Sequence, residues 1–335
     1  MSYFDLSEAQ LKQQIDAAQI RSAWLDAERR MIDYRGSMQW KTVKGRDYLY
    51  REYGNKRGKS QGPRSEETER IYQAFTKGKA EAAERLDTLS KSMARMRRVN
   101  VAERVGRSPN IVVQTLEAIR QAGLQDHFLV IGTNALYAYE TYAGVRFDGD
   151  ITATVDVDLL WDSRKHILLA SDCEESFLHH GLIGLLRKID KTFQLQNGEE
   201  YRAVNATGYM VDLIKRRPAS LYDDKEKSQL VKNEDDFWAA KIVNMDWLLS
   251  SPRFRQTIVG VNGEMAEMTT VDPRAFVIYK NWLAHKDDRD PQKKPRDLKQ
   301  AQAVYELLND RLPQLDFSSI HVFPAHLRDL SDLDG

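Results

Sequence analysis

In 335 residues the sequence has a single cysteine, Cys173. That excludes an internal disulfide framework and any zinc site built on a cysteine cluster. No apolar run approaches the ~20 residues that a membrane-spanning helix needs. The opening residues, Met1-Ser-Tyr-Phe-Asp-Leu, lack the basic-then-apolar layout of a secretory leader. A cytoplasmic protein with no membrane partner is therefore the expectation. Internal repeats and low-complexity tracts are absent. Net charge is missing as well, since 50 Lys+Arg stand against 50 Asp+Glu.

That neutrality is a cancellation. Residues 1–128 carry 24 basic and 17 acidic side chains, and residues 129–335 carry 26 and 33. The steepest stretch is 41–64, where Lys41, Lys44, Arg46, Arg51, Lys56, Arg57, Lys59 and Arg64 face only Asp47 and Glu52. Such asymmetry marks a polyanion surface in the same chain as a metal or catalytic surface. With 41% hydrophobic and 30% charged residues, the chain is a soluble globular protein with a core, of about two domains by length.

Residues 7–32 read as an amphipathic helix, with Ser7 and Gln10 as a capping box and Leu11, Ile15, Ala18, Leu25 and Ile32 as its apolar stripe. Glycines from Gly36 to Gly62 then break any helix, and Trp40, Tyr48, Leu49 and Tyr50 indicate short strands. Ser65 and the acids after it open a second helix to about Arg98, and Ser108-Pro109 starts another that Gly123 ends. From Phe128 the composition changes. Strands are expected at 128–131, 155–161 and 209–214, and helices at 134–142 and 176–186. A hairpin is expected around Asn262-Gly263. Asp272-Pro273 and Asp290-Pro291 each supply an N-cap and a first-turn proline for a further helix. The expected regions are a basic, mostly helical 1–108 with a β-like segment at 36–64, a catalytic 109–270, and a helical 271–335.

The segment that carries chemistry is Ile131-Gly132-Thr133 followed by Val155-Asp156-Val157-Asp158-Leu159-Leu160. Strand side chains alternate faces, so Asp156 and Asp158 point one way while Val155, Val157 and Leu159 point into the core. Two carboxylates on one face repel unless a cation sits between them, and a hard divalent ion, Mg²⁺ or Mn²⁺, suits oxygen donors. Met210-Val211-Asp212-Leu213-Ile214 repeats the design. If that strand lies beside the first, Asp212 completes the three-carboxylate cluster that two-metal phosphoryl transfer needs. Gly132 at a strand-to-helix junction lets the backbone approach a phosphate, with Thr133 and Asn134 as side-chain donors.

An apolar strand, Gly132-Thr133, a helix, Asp156-x-Asp158 on a strand and Asp212 on a later one together resemble the DNA polymerase β-type nucleotidyltransferase superfamily. The resemblance covers residues 110–310 and is nearest to the bacterial nucleotidyltransferase-like proteins that include the AbiEii and MenT toxins. Those carry Lys, Arg, Lys and Asp in order on the downstream helices, as do Lys280, Arg289, Lys294 and Asp297 here. The segment 36–69 also resembles a further bacterial branch of such proteins. The resemblance implies an α+β fold, a mixed sheet flanked by helices, with a basic helical N-terminal region and C-terminal helices. It implies transfer of a nucleoside monophosphate from an NTP to a hydroxyl, with Asp156, Asp158 and Asp212 as catalytic metal ligands. Gly132, Thr133, Asn134, Lys280, Arg289 and Lys294 would hold the nucleotide. An RNA end, tRNA-like, is the expected acceptor, and a toxin or defence role with a cognate antitoxin or defence partner is implied too. Two departures stand out: Gly-Thr replaces the usual Gly-Gly or Gly-Ser, and 24 residues separate Gly132 from Asp156, which an insertion around 144–151 would explain.

Other readings remain open. An Asp-x-Asp glycosyltransferase holds a sugar nucleotide through Mn²⁺ without needing Asp212 or Gly132. A catalytically dead binding module would have no reason to keep all three acids. Lys280, Arg289, Lys294 and Asp297 read also as solvated helix faces; in the functional reading Asp297 orients a basic neighbour. The stretch 40–64 reads equally as a structural hairpin or as a nucleic-acid surface, with Trp40, Lys41, Lys44, Arg46, Tyr48, Tyr50 and Arg64 meeting phosphates and bases. His179 and His180 are adjacent and make a poor metal pair on a helix. Trp238 and Trp247 read as core residues of an apolar helix.

Overall fold

The computed structural model describes residues 2–54, 56–164, 175–217, 228–231 and 233–333; Cys173 lies outside them. The chain folds as two compact units, residues 12–102 and residues 1–11 with 103–335. Counted by unit, the charge separation sharpens. The smaller unit carries 21 basic against 12 acidic residues, and the larger carries 29 against 38.

Strand β1 (Tyr3–Asp5) belongs to the larger unit and leads into helix α1 (Glu8–Asp33). Ser7 and Gln10 form the expected capping box, with Gln10 N donating to Ser7 Oγ at 3.3 Å and Ser7 N to Gln10 Oε1 at 3.2 Å. The smaller unit is α1 running antiparallel to α2 (Glu66–Ala102), with strands β2 (Ser37–Val43), β3 (Arg46–Tyr53) and β4 (Lys56–Pro63) between them. Gln13 bonds Asn100 at one end of the helix pair, and Tyr34 packs on Phe75 near the other. The expected apolar stripe of α1 does not face this partner. Ile15 is 58% exposed, and Gln13, Ala17, Arg21 and Ala27 are buried instead. One antiparallel neighbour offers a narrow seam, which alanines and hydrogen-bonding side chains fill by allowing close approach.

The three-stranded sheet is antiparallel, with Trp40 opposite Leu49 and Lys41 opposite Tyr48. Directly paired residues share a face. One face holds Trp40, buried Leu49 and Arg51 and packs on α2, where Trp40 meets Tyr72 and the Arg51 guanidinium lies over Phe75. The opposite face carries Lys41, Arg46, Tyr48 and Tyr50.

The larger unit is a mixed sheet between two helical layers. Along the chain come α3 (Asn110–Gln121), β5 (Phe128–Ile131), a 3₁₀ turn (Gly132–Ala135), α4 (Leu136–Ala143), β6 (Val145–Phe147), α5 (Gly149–Thr152) and β7 (Asp156–Trp161). There follow α6 (Glu175–Ile189), β8 (Gln194–Gln196), β9 (Glu199–Val204), β10 (Met210–Arg216), β11 (Ala240–Ile242) and α7 (Met245–Ser250). The hairpin β12 (Arg253–Val259) and β13 (Met265–Val271) and helices α8 (Pro273–His285) and α9 (Lys294–Arg311) complete it. The sheet order is β12-β13-β5-β7-β10-β9-β8, with β11 on β10, and β6 pairs separately with β1. β7 and β10 are parallel, while β5 runs antiparallel to β7.

Alternation sorts the strand residues into two apolar layers. Phe128, Val130, Val157, Leu159, Val211 and Leu213 pack toward α3 and α6. Leu129, Ile131, Leu160 and Ile214 pack toward α4, α8 and α9. Asp156, Asp158 and Asp212 fall on this second face. This is the α+β arrangement expected, with three local corrections. Val155 is not a core residue; it precedes β7 and is 60% exposed. Trp238 lies outside any helix and is 49% exposed, whereas Trp247 on α7 packs against Trp282. Asp290 caps a turn rather than a helix, and α9 begins only at Lys294. Pro295 is tolerated in the first turn but would break an interior hydrogen bond if the helix began a full turn earlier.

Candidate active site

Two parallel strands, β7 and β10, deliver three carboxylates to one face, and β5 brings Gly132 up beside them. Asp158 on β7 is in register with Asp212 on β10 and with Ile131 on β5, and Asp156 sits two residues earlier. This register puts Gly132 directly against Asp158. Gly132 has φ +68°, and a Cβ there would lie 2.4 Å from Asp158 Oδ2. Only glycine accommodates both the backbone and the contact. We expect Gly132→Ala to add strain of about 1–3 kcal/mol and displace the Asp158 carboxylate. The melting temperature should fall by several degrees, and a crystal structure of the variant should show Asp158 turned.

Crowded charge governs Asp158. Burial, then the carboxylates of Asp156 and Asp212, raise its pKa to about 7, against the pull of Lys280 and Lys293. Lys280, on α8, is buried; burial lowers its pKa while Asp297 opposes the loss of charge. Its ammonium donates to Asp297 Oδ1 at 2.6 Å, and Arg289 donates to Asp297 Oδ2 at 2.8 Å. Asp297 thus orients two cations rather than joining the strand carboxylates. Lys294 bears on Asp288 in the loop before α9, whereas its neighbour Lys293 acts on Asp158.

The residues after Gly132 are anchored. Asn134 is buried and donates through Nδ2 to the Asp156 carbonyl at 2.6 Å, tying the 3₁₀ turn to β7. Its Oδ1 is buried with no hydrogen-bond partner. The Thr133 hydroxyl accepts from Arg296 at 2.9 Å and from Gln300 at 3.1 Å, both on α9. Tyr209 and Tyr279 line the same region. Burial raises both hydroxyl pKa values, with Asp156 acting further on Tyr209 and Asp158 on Tyr279. Thr154 donates to Asp156 Oδ1.

Asp212 is not free. Arg202 on β9 donates to both its oxygens. The three acids therefore share a face without converging as a cage, and no group of three His, Cys, Asp or Glu among the described residues is arranged to hold a metal ion. The donor chemistry nonetheless fits a hard divalent cation at Asp156 and Asp158. Both offer oxygen atoms only, and burial, with the neighbouring Asp156 and Asp212 charges, disfavours the ionised form of Asp158. Asp212, the third acid on this face, has both oxygens taken by Arg202.

The structure thus brings together Asp156, Asp158, Asp212, Gly132, Thr133 and Asn134, with Lys280 and Arg289 joined through Asp297. Lys294 acts through its charge on Asp288. Arg202, Lys293, Arg296, Gln300, Tyr209 and Tyr279 were not foreseen. For Arg202 a signal existed, since Asn197-Gly198 is a hairpin turn that places the following residues on a strand. The expected acceptor residues belong to the smaller unit. Trp40 packs inward on Tyr72, and Arg64 lies over the Trp40 ring while pairing with Asp47 and Glu69. Lys41, Arg46, Tyr48 and Tyr50 share the other face, with Lys44 in the β2–β3 turn. No helix among the described residues is long and apolar enough to cross a membrane.

No curated protein and no solved structure matches the chain. The family profile described as nucleotidyltransferase matches residues 110–321, which run from α3 through α9 and include every strand carboxylate of the site. With 212 of its 335 residues matched, the chain belongs to the nucleotidyltransferase family.

Proposed function

We propose that the protein moves a nucleoside monophosphate from an NTP to a hydroxyl of an RNA acceptor. The observation that carries this reading is the register of β5, β7 and β10, which puts three carboxylates on one face, with Asp158 against Gly132, within the family's matched segment. Asp156 and Asp158, joined by Asp212, would hold Mg²⁺ or Mn²⁺. Such ions, when bound, supply Lewis acidity at the phosphoryl oxygens and neutralise charge on the leaving group.

The chain's own residues do the rest. Gly132 leaves room for the Asp158 carboxylate, and Lys280, Lys293, Arg289 and Arg296 would offset the charge of the triphosphate. Asp297 fixes Lys280 and Arg289 in place. The acceptor oxygen attacks the α-phosphorus, the bridging bond to the β-phosphate breaks and pyrophosphate leaves. The acceptor's proton passes to a carboxylate, for which Asp212 is the candidate. A sugar-nucleotide transferase would need neither Asp212 in register with Asp158 nor Gly132 against it.

The acceptor reading rests on the smaller unit's basic excess and on its outer sheet face, where Tyr48 and Tyr50 are partly exposed beside Lys41 and Arg46. The paired tyrosines suit stacking on bases, and the cations suit phosphates. Tyr48→Ala/Tyr50→Ala should weaken binding of single-stranded RNA about tenfold or more without lowering the melting temperature. Trp40→Ala, on the inner face, should do the reverse. Anisotropy titrations at several salt concentrations check both, and affinity should fall as salt rises. RNA affinity unchanged by the tyrosine pair would remove the acceptor surface from this face. A toxin or defence role would act through the same RNA; growth arrest on expression, abolished by Asp158→Asn, is its test.

The reaction itself is tested by incubating the protein with each α-labelled NTP, Mg²⁺ or Mn²⁺ and total RNA. Label is expected in RNA with at least one nucleotide.

A further inference from the structure

Arg202 and Asp212 face each other across the antiparallel β9–β10 pair. Arg202 Nε donates to Oδ1 at 2.7 Å and Nη2 to Oδ2 at 2.6 Å, so one guanidinium takes both oxygens of a buried carboxylate. Its remaining nitrogen, Nη1, donates to Glu199 Oε2 at 3.0 Å. Asp158 on β7, in register with Asp212, feels the charges of Lys280 and Lys293. The fork is therefore fitted to the one acid of the three that lies at the β9 edge. A second carboxylate, Glu199, stands ready three residues away on the same strand.

From this geometry we propose that Arg202 is a latch on the catalytic site. It holds Asp212 while the site carries no cation, and when a divalent cation loads it releases Asp212 and keeps its contact with Glu199. The proposal rests on the assignment of Asp212 to the metal given above. A guanidinium and a divalent ion on the same two oxygens repel at hydrogen-bonding distance, so loading and latching compete. The latch keeps three neighbouring carboxylates from destabilising the empty site, and in return it raises the cation concentration needed to complete it. Arg202 touches no reacting atom; it is a positioning residue acting through Asp212.

Calorimetric titration of Mn²⁺ into the full-length, nucleotide-free protein tests this. Arg202→Gln should bind Mn²⁺ about tenfold to a hundredfold more tightly than wild type, the worth of a bidentate charge-assisted pair. Arg202→Lys keeps the charge but not the fork, and should show a smaller gain. In an Asp212→Asn background, Arg202→Gln should change nothing. Wild-type affinity in both Arg202 variants would overturn the latch. So would a gain that persists in Asp212→Asn, because it would mean a general field rather than competition for that carboxylate. If Arg202→Gln does not fold, Arg202→Lys carries the comparison, and the absence of any gain there overturns the proposal. Asp158→Asn separates the two readings. If it leaves Mn²⁺ binding unchanged, the metal assignment fails; if it weakens binding while the Arg202 variants match wild type, only the latch fails.

Discussion

Asp158→Asn is expected to reduce nucleotidyl transfer by about 10³-fold or more while raising the stability of the cation-free protein. The loss follows from removing one of two carboxylates that would hold the metal, whose charge stabilisation in the transition state is worth several kcal/mol. The gain follows from the same crowding that makes the site useful. Burial and the charges of Asp156 and Asp212 push the Asp158 carboxyl up to about 7, so its ionised form is less favoured in the folded state than in the unfolded one. The unfolded chain ionises near the ordinary value for aspartate, about 4, and the folded chain only near 7. Between those pH values the unfolded state binds fewer protons, so stability falls as pH rises through the window and is flat below it. Solvent reaches part of this carboxylate, which limits the fall to roughly 2 kcal/mol. Thermal melts from pH 4 to 8 should show the decline in wild type and a flatter profile in Asp158→Asn. A variant that loses activity but melts lower at pH 8 would mean that Asp158 is a structural anchor.

The second large effect concerns Asp297. It is buried between Lys280, at 2.6 Å, and Arg289, at 2.7 Å, and it is what allows Lys280 to stay charged in the core beside α9. Asp297→Ala leaves a buried ammonium without its partner. Breaking a buried pair from one side costs about 3–5 kcal/mol. For a unit of this size that is a drop of about 10 °C in melting temperature. Arg289 is the more exposed of the two cations and can turn to solvent, so Lys280 carries most of the cost. Lys280→Met/Asp297→Leu should therefore be more stable than Asp297→Ala alone, although it removes two polar groups instead of one. Transfer should fall in both, through KM for the nucleotide if Lys280 serves the triphosphate. Equal stability of the single and double variants would show that the pair is not a coupled unit.

How much of this was legible in the sequence depended on whether the signal was local. β5 was readable as a continuous apolar run ending in Gly132, and β7 and β10 because acidic residues interrupt apolar ones along each strand. Their adjacency followed from the resemblance, and the register then placed Gly132 against Asp158. Arg202 was missed although it lies only ten residues before Asp212 on the preceding strand of a hairpin, because Glu199–Val204 lacks the apolar alternation that marks β10. Lys293 was not read because it stands one residue before α9 begins at Lys294, where helical spacing assigns no face. In the smaller unit, alternation separated Trp40 from Lys41 and Tyr48 from Leu49. It could not say which face α2 would cover. The stripe of α1 failed for a related reason: a helix with one antiparallel neighbour buries a narrow seam, and Gln13 and Arg21 occupied it while Ile15 stayed outside.

Asp156 and Asp158 should direct transfer of the α-phosphoryl nucleotide unit and not of any other group. Parallel incubations with α-labelled and γ-labelled NTP, metal and RNA test it most directly. With wild type, α-label should enter RNA while γ-label leaves entirely as pyrophosphate, and Asp156→Asn/Asp158→Asn should abolish both. Transfer of γ-label, or equal α-labelling by the double variant, would contradict the account.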